Sequence, residues 1–349
     1  MEKFRVAVIG LGGVANAHLS AFKLLENLEV TSVCDVQHSV AQSTGAALGA
    51  EAFTDYRDLL ANCQADLVMV LTPASTHCEI VSVVAKAGLH VFCEKPLAVT
   101  LEEGAAMVSA CKRAGMHLFY GSCFRYLPAI RTARDLIRQG MIGEIQLMTE
   151  QIIGGSGRDN YKELSPIHYP LGGPGGSGMG LVDHGVHLID IFSWFADSDV
   201  RQVRGRGQPS GAVPVSEYLD MEFDNGAVGH LIYNSATFSS ELPNEGTFSG
   251  GQGWLVDGSI AEPGLWEQHP GSISVYGTKG ALRIFHYVNA LFLNTGSGPR
   301  RVDLVGRPAF GHFATQIEDC ANAVFTGRAP TISGEDGLKA LRCLFDAYQ

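Results

Sequence analysis

Phe4-Arg5-Val6-Ala7-Val8-Ile9-Gly10-Leu11-Gly12-Gly13-Val14-Ala15 is the stretch that decides the fold. A mostly apolar run reads as a buried strand and passes directly into Gly-x-Gly-x-x-Ala. From Gly13 to Glu26 the apolar positions then fall at helical spacing. Strand, glycine turn and helix together are the context that gives this glycine pattern meaning. The glycines let the backbone approach a pyrophosphate, which rests on the helix N-terminus. Val30–Cys34 reads as a second strand and ends at Asp35. An acid about twenty residues beyond the glycines accepts hydrogen bonds from a ribose diol. Gly10, Leu11, Gly12, Gly13, Val14, Ala15 and Asp35 are therefore expected to form a dinucleotide site. A carboxylate at 35 repels a 2′-phosphate, and Val36, Gln37 and His38 bring no arginine to offset it. NAD is favoured over NADP, although His38 offers a phosphate limited help.

Outward from this unit the same rhythm continues. Ala41–Leu48, Asp55–Leu60, Ser75–Ala87 and Thr100 to about Gly115 read as helices. Leu67–Leu71, Leu89–Cys93 and His117–Tyr120 read as strands. Thr100 with Glu103 has the spacing of a capping box, and Gly88 suits a helix stop. Alternating strands and helices with short connections mean a parallel sheet covered on both faces. The expected architecture is an α/β doubly wound (Rossmann) domain over residues 1–123. A helix near 128–139 follows, and then the texture changes. Segments 145–153, 213–223, 227–235, 272–276, 281–286 and 290–294 read as strands, with hairpin signals at Asp224-Asn225-Gly226 and Thr278-Lys279-Gly280. With helices at 181–195, 312–326 and 334–347, residues 124–349 are expected to form an α+β domain on a large, mostly antiparallel sheet.

The bulk numbers set bounds. The chain has 349 residues, 46% of them hydrophobic, and a net charge of −11. That supports two domains and gives no basic surface for nucleic acid or acidic membranes. Eight cysteines are scattered through apolar segments without a Cys-x-x-Cys pair, as expected of buried free thiols in a reducing compartment. No His/Cys grouping has zinc spacing, and no metal is expected. Neither a secretory pattern nor an apolar run of membrane-spanning length is present, so a cytoplasmic protein is expected.

Two short motifs carry chemistry. Cys93-Glu94-Lys95-Pro96 closes an apolar strand, at the end of a parallel sheet where ligands bind. Asp183-His184-Gly185-Val186-His187-Leu188-Ile189-Asp190 puts Asp183 and His187 four residues apart, on one helix face. Alcohol oxidation needs a proton acceptor with a pKa near working pH, and histidine is one. Asp183 would fix the imidazole tautomer and stabilise its cation, from a first turn that favours negative charge. Lys95 would polarise a ketone or stabilise alkoxide character. A cis Lys95–Pro96 bond, cheap before proline, would aim it. Read alone, His187 is better taken as a packed core histidine; a surface lysine before a turn proline is the plain alternative for Lys95, though less common at the end of a buried parallel strand. His184 and Asp190 are read as structural.

With these residues in view, the chain resembles the glucose–fructose oxidoreductase, inositol dehydrogenase and rhizopine-catabolism group, Gfo/Idh/MocA. The resemblance runs essentially end to end. It includes the glycine fingerprint, Thr72-Pro73 with His77, Glu94-Lys95-Pro96, Asp183-x-Gly185-x-His187-x-x-Asp190, Gly277-Thr278-Lys279-Gly280 and the 334–348 tail. It implies a nicotinamide cofactor, a sugar or cyclic polyol as substrate, and a homodimer or homotetramer through the C-terminal sheet. It also implies that Thr72, Pro73, His77, Glu94 and Arg125 line the cofactor. Lys95 would meet both nicotinamide and substrate, and Asp183 and His187 would move the proton. Many members carry an asparagine where this chain reads Ser122-Cys123-Phe124-Arg125-Tyr126. The insert 158–180 and the loop 241–270 match no single member; loops 154–180, with Arg158 and Tyr161, and 241–270, with Trp254 and Trp266, are expected to set substrate identity. Two other readings stay open. One is an NAD-dependent, redox-neutral glycoside hydrolase; the other is a non-catalytic nucleotide sensor, which has no need of a proton relay.

Overall fold

A computed structural model of the chain describes residues 3–153, 180–206, 217–234, 273–286, 289–306 and 308–347. It divides into two compact units. The first gathers the chain up to Ser122 with Phe313–Leu341; the second is built mainly from Cys123–His312, with the residues from Arg342 onward.

In the first unit β1 (Phe4–Ile9), β2 (Leu28–Cys34), β3 (Glu51–Phe53), β4 (Leu67–Val70), β5 (His90–Cys93) and β6 (Leu118–Tyr120) form one sheet in the order β3-β2-β1-β4-β5-β6. Every pairing is parallel. The helices between them are α1 (Gly13–Phe22), α2 (His38–Leu48), α3 (Tyr56–Asn62), α4 (His77–Lys86) and α5 (Leu101–Ala114). Leu67-Val68-Met69-Val70 is buried at every residue, as a strand covered on both faces must be. The Thr100 hydroxyl accepts the Glu103 N–H at 3.1 Å and starts α5. Chain order reverses between β1 and β4, so a crevice opens beyond the C-terminal ends of these strands. The later segment lies against this unit, with the largely exposed Phe325 edge-on to the buried Phe4 at 5.2 Å.

The second unit contains α6 (Pro128–Arg138), β7 (Ile145–Ile153), α7 (Gly180–Ala196), β8 (Val200–Arg206), β9 (Glu217–Phe223), β10 (Val228–Asn234), β11 (Ile273–Gly277), β12 (Ala281–Phe285), β13 (Ala290–Asn294) and β14 (Pro299–Arg301). Its eight strands run in the order β14-β13-β12-β11-β7-β10-β9-β8. Pairing is antiparallel throughout except β7 with β10, which is parallel. The two hairpins expected from Asp224-Asn225-Gly226 and Thr278-Lys279-Gly280 join β9 to β10 and β11 to β12. Burial alternates along β9, so one face is core and the other is open. Against the core face lies α7, so close that a Cβ on Gly229 would meet Phe192 at 2.9 Å. Last in the chain are α8 (Gly311–Thr326) and α9 (Gly334–Ala347).

The fold class is as the sequence led us to expect. Strands β3, β8 and β14 were not expected, and all three are sheet edges. Short or arginine-bearing edge strands blunt edge-to-edge association and lack the apolar signature of an inner strand. The expected strand start at 213–216 lies outside the described residues. All eight cysteines are free. Among the described residues no helix is long and apolar enough to cross a membrane.

Candidate active site

The crevice of the first unit is a cleft of about 780 Å3. Its floor is the glycine turn. Gly10 has φ +92°, and a Cβ there would come within 2.8 Å of the Leu71 carbonyl carbon and the Thr72 nitrogen. Only glycine fits that backbone. Gly12, the residue before α1, carries no side-chain cap, and a Cβ on Gly12 or Gly13 would meet nothing within 4 Å. The space in front of these two glycines is open, which suits the close approach of a pyrophosphate. The uncapped N–H groups of α1 suit an anion. Asp35, at the end of β2, accepts the Leu11 N–H at 3.0 Å and the Gln37 N–H at 2.9 Å. Its carboxylate is thus held at the rim with lone pairs to spare for a diol. These features fit a nicotinamide dinucleotide.

Of the residues expected to hold the cofactor, Gly10, Leu11, Gly12, Gly13, Val14, Asp35, Thr72, Pro73, Glu94 and Lys95 all line this cleft. Ala15 is buried behind it. His77 lies beneath the wall, fully buried, with Nε2 2.8 Å from the Thr72 carbonyl oxygen and Nδ1 3.1 Å from that of Leu97. It braces Thr72 from below. Burial lowers its pKa from the ordinary 6.5, outweighing the two carbonyls that pull it upward. Arg125 belongs to the second unit and is described with it.

Lys95 leaves the end of β5 half-buried, and its bond to Pro96 is cis. The preceding Glu94 is buried and doubly held. Its Oε1 lies 2.7 Å from His18 Nε2, and its Oε2 accepts the Lys95 N–H at 2.9 Å. His18, on α1, is completely buried, edge-on to Phe92 and Phe313. The sequence reading missed it, because its partner is 76 residues away. It also missed Tyr56, Arg57 and Glu79, which line the same cleft. Tyr56 donates to Glu79 at 2.7 Å, and Arg57 pairs with the same carboxylate. The one arginine among the residues lining the cleft thus has its charge matched.

In the second unit, Cys123–Tyr126 form a buried 3-10 turn. Phe124 stacks face to face on His187, centroids 4.1 Å apart and planes 7° apart, and meets His184 edge-on. His187 is buried with its ring plane fixed by this stack. Asp183 lies one turn earlier on α7; its side chain lies outside the described residues. The helix start is secured by the Glu217 carboxylate, which accepts the Leu181 N–H at 3.0 Å. Arg125 grips Asp190 through two nitrogens, Nε to Oδ2 at 2.8 Å and Nη2 to Oδ1, both residues nearly fully buried. The guanidinium also sits 5.3 Å over Trp194. His184 Nε2 contacts Glu150 of β7 at 3.0 Å. His184 and Asp190 are thus anchors of α7, as read from the sequence. Loops 154–180 and 241–270, apart from Gly180, lie outside the described residues.

Residues 4–122 match the family model of the oxidoreductase family with an NAD-binding Rossmann fold. Residues 130–283 match that of the GFO/IDH/MocA C-terminal domain. D-apiose dehydrogenase of Paraburkholderia graminis is 36% identical over 146 residues, 41% of this chain and 38% of that protein. Myo-inositol 2-dehydrogenase of Thermotoga maritima is 25% identical over 343 residues, 97% of this chain and 93% of its own length. D-glucoside 3-dehydrogenase of Escherichia coli is 31% identical over 188 residues, 53% of this chain and 52% of that one. Among solved structures, aldose-aldose oxidoreductase of Caulobacter crescentus, complexed with glycerol, superposes with a TM-score of 0.79 at 22% identity, over 99% of this chain and 98% of that chain.

Proposed function

The chain belongs to the Gfo/Idh/MocA oxidoreductase family, and on that footing we propose that it is an NAD-dependent dehydrogenase of a secondary alcohol on a sugar, sugar derivative or cyclic polyol. The observation that carries the reading is Lys95, which lines the same cleft as the glycine turn and Asp35. When bound, the nicotinamide supplies the hydride acceptor or donor. Lys95 places a donor at the substrate oxygen, polarising a ketone or stabilising an alkoxide. His187, held in plane by Phe124, takes the hydroxyl proton in oxidation and returns it in reduction. Asp183, one turn away, orients the ring and balances its charge. The names of the relatives, which act on apiose, inositol and glucosides, support the substrate class. The reading favours NAD over NADP: the Asp35 carboxylate lines the cleft, where it would repel a 2′-phosphate, and Arg57 is paired with Glu79.

The test is a panel of cyclic polyols, aldoses and glycosides with NAD+ and NADP+, followed by NADH absorbance. Lys95→Ala and His187→Ala should each lower kcat/KM at least about a hundredfold. Variants as active as the wild type would overturn the assigned roles. Aglycone release without absorbance change would favour a redox-neutral hydrolase.

We also propose a homo-oligomer through the open face of the eight-stranded sheet. Tyr276, Leu147 and Val228 lie side by side across β11, β7 and β10, all substantially exposed. A Leu147→Glu variant should run as a monomer in light scattering where the wild type does not; an unchanged mass removes this face from the interface.

A further inference from the structure

Glu150 of β7, His184 of α7 and His286, just past β12, converge inside the second unit. They are 1%, 6% and 1% exposed. One oxygen or nitrogen from each lies within 4.8 Å of the others. His184 Nε2 is 3.0 Å from Glu150 Oε2, and His286 Nε2 is 3.7 Å from Glu150 Oε1. The second spacing is too long for a hydrogen bond, yet the two groups face each other. Ligand atoms held about 2.0–2.2 Å from a shared tetrahedral ion are separated by roughly 3.3–3.6 Å, close to these distances. A buried carboxylate also needs positive charge beside it.

From this convergence we propose that Glu150, His184 and His286 bind one divalent transition-metal ion, with zinc the best fit. Two imidazoles and one carboxylate are a borderline donor set, which suits zinc, cobalt or iron and not magnesium or calcium, whose sites are oxygen-only. Phe124 supplies an apolar wall, its ring centroid 5.4 Å from that of His184 and 5.2 Å from that of His286. The three ligands come from a strand, a helix and a turn that are far apart in sequence, so no spacing motif announces them. The ion would pin α7, which bears Asp183 and His187, to β7. That is a positioning role, outside the hydride transfer itself.

The test uses the full chain without a polyhistidine tag. It is stripped with EDTA, loaded with Zn2+ and desalted for elemental analysis, and in parallel titrated with Co2+ in the visible range. The expected result is about one zinc per chain, a saturating cobalt spectrum at one equivalent, and a thermal midpoint that rises with Zn2+ but not with Mg2+. Glu150→Gln and His286→Gln, folded by circular dichroism, should retain at least tenfold less metal. Wild-type protein that retains no zinc and gives no cobalt spectrum overturns the proposal. So do folded variants that keep a full equivalent. If either variant fails to fold, the wild-type cobalt spectrum alone decides: imidazole–carboxylate bands support the site, and their absence refutes it.

Discussion

The buried Arg125–Asp190 pair gives a sharp prediction for the second unit. Asp190→Asn keeps the shape of the side chain and removes its charge. The guanidinium it leaves behind is 7% exposed, with little water to replace the lost carboxylate. Breaking a buried pair from one side costs about 3–5 kcal/mol. The Trp194 face, 5.3 Å away, contacts the guanidinium with or without the carboxylate and offsets none of this. A loss of about 3–5 kcal/mol follows, roughly 150- to 5,000-fold in the unfolding equilibrium. Replacing both partners, as Arg125→Met with Asp190→Leu, removes the uncompensated charge and should return stability to within about 1 kcal/mol of wild type. The assay is urea unfolding followed by tryptophan fluorescence. Trp194 lies beside the pair in the second unit, so its fluorescence reports on that unit. A single variant losing under about 1 kcal/mol, or a double variant as unstable as the worse single, would refute a desolvated pair.

Three further outcomes are expected. Gly10→Ala forces a side chain into φ +92° and within 2.8 Å of the backbone at Leu71 and Thr72. It should cost about 2–5 kcal/mol and abolish NAD+ binding by calorimetry, and wild-type affinity would contradict the geometry. Asp35→Ser removes the negative charge at the ribose rim and should raise the NADP-to-NAD ratio of kcat/KM by about tenfold or more; an unchanged ratio would place cofactor selection elsewhere. Burial lowers the pKa of His77 below its ordinary 6.5, so as pH falls through that value the unfolded chain takes up a proton before the folded chain does. Stability should therefore fall as pH drops from about 7 toward 5, by at most about 1.4 kcal/mol per pH unit from this group. His90 and His117, a stacked pair also shifted downward, act in the same sense, so the shallower slope of His77→Gln in denaturant titrations isolates the His77 share; parallel slopes would show that His77 contributes nothing.

Much of this molecule is legible in its sequence wherever the signal is local. The parallel sheet follows from apolar runs such as Leu67–Val70, and the nucleotide loop from glycines set between a strand and a helix. Asp183 and His187 are readable because a helix turns their spacing into a shared face. What stays hidden depends on residues that only the tertiary fold brings together. His18 meets Glu94 across 76 residues, and Arg57 enters the cleft from a helix with no motif. Glu150, His184 and His286 meet only because β7, α7 and the end of β12 pack into one unit. The charged edge strand β8 hides for the opposite reason: it is built to look unlike a strand partner.

The His18–Glu94 contact has a mechanical consequence. His18 sits on the helix whose first N–H groups face the glycine turn, and it grips one oxygen of Glu94, while the other oxygen grips the Lys95 amide. Helix, carboxylate and lysine peptide are links of a single strut. A displacement of the helix on one end is handed to the lysine at the other. Seating a dinucleotide and aiming the lysine are therefore one adjustment, and a substitution at His18, remote from any substrate, would detune both together.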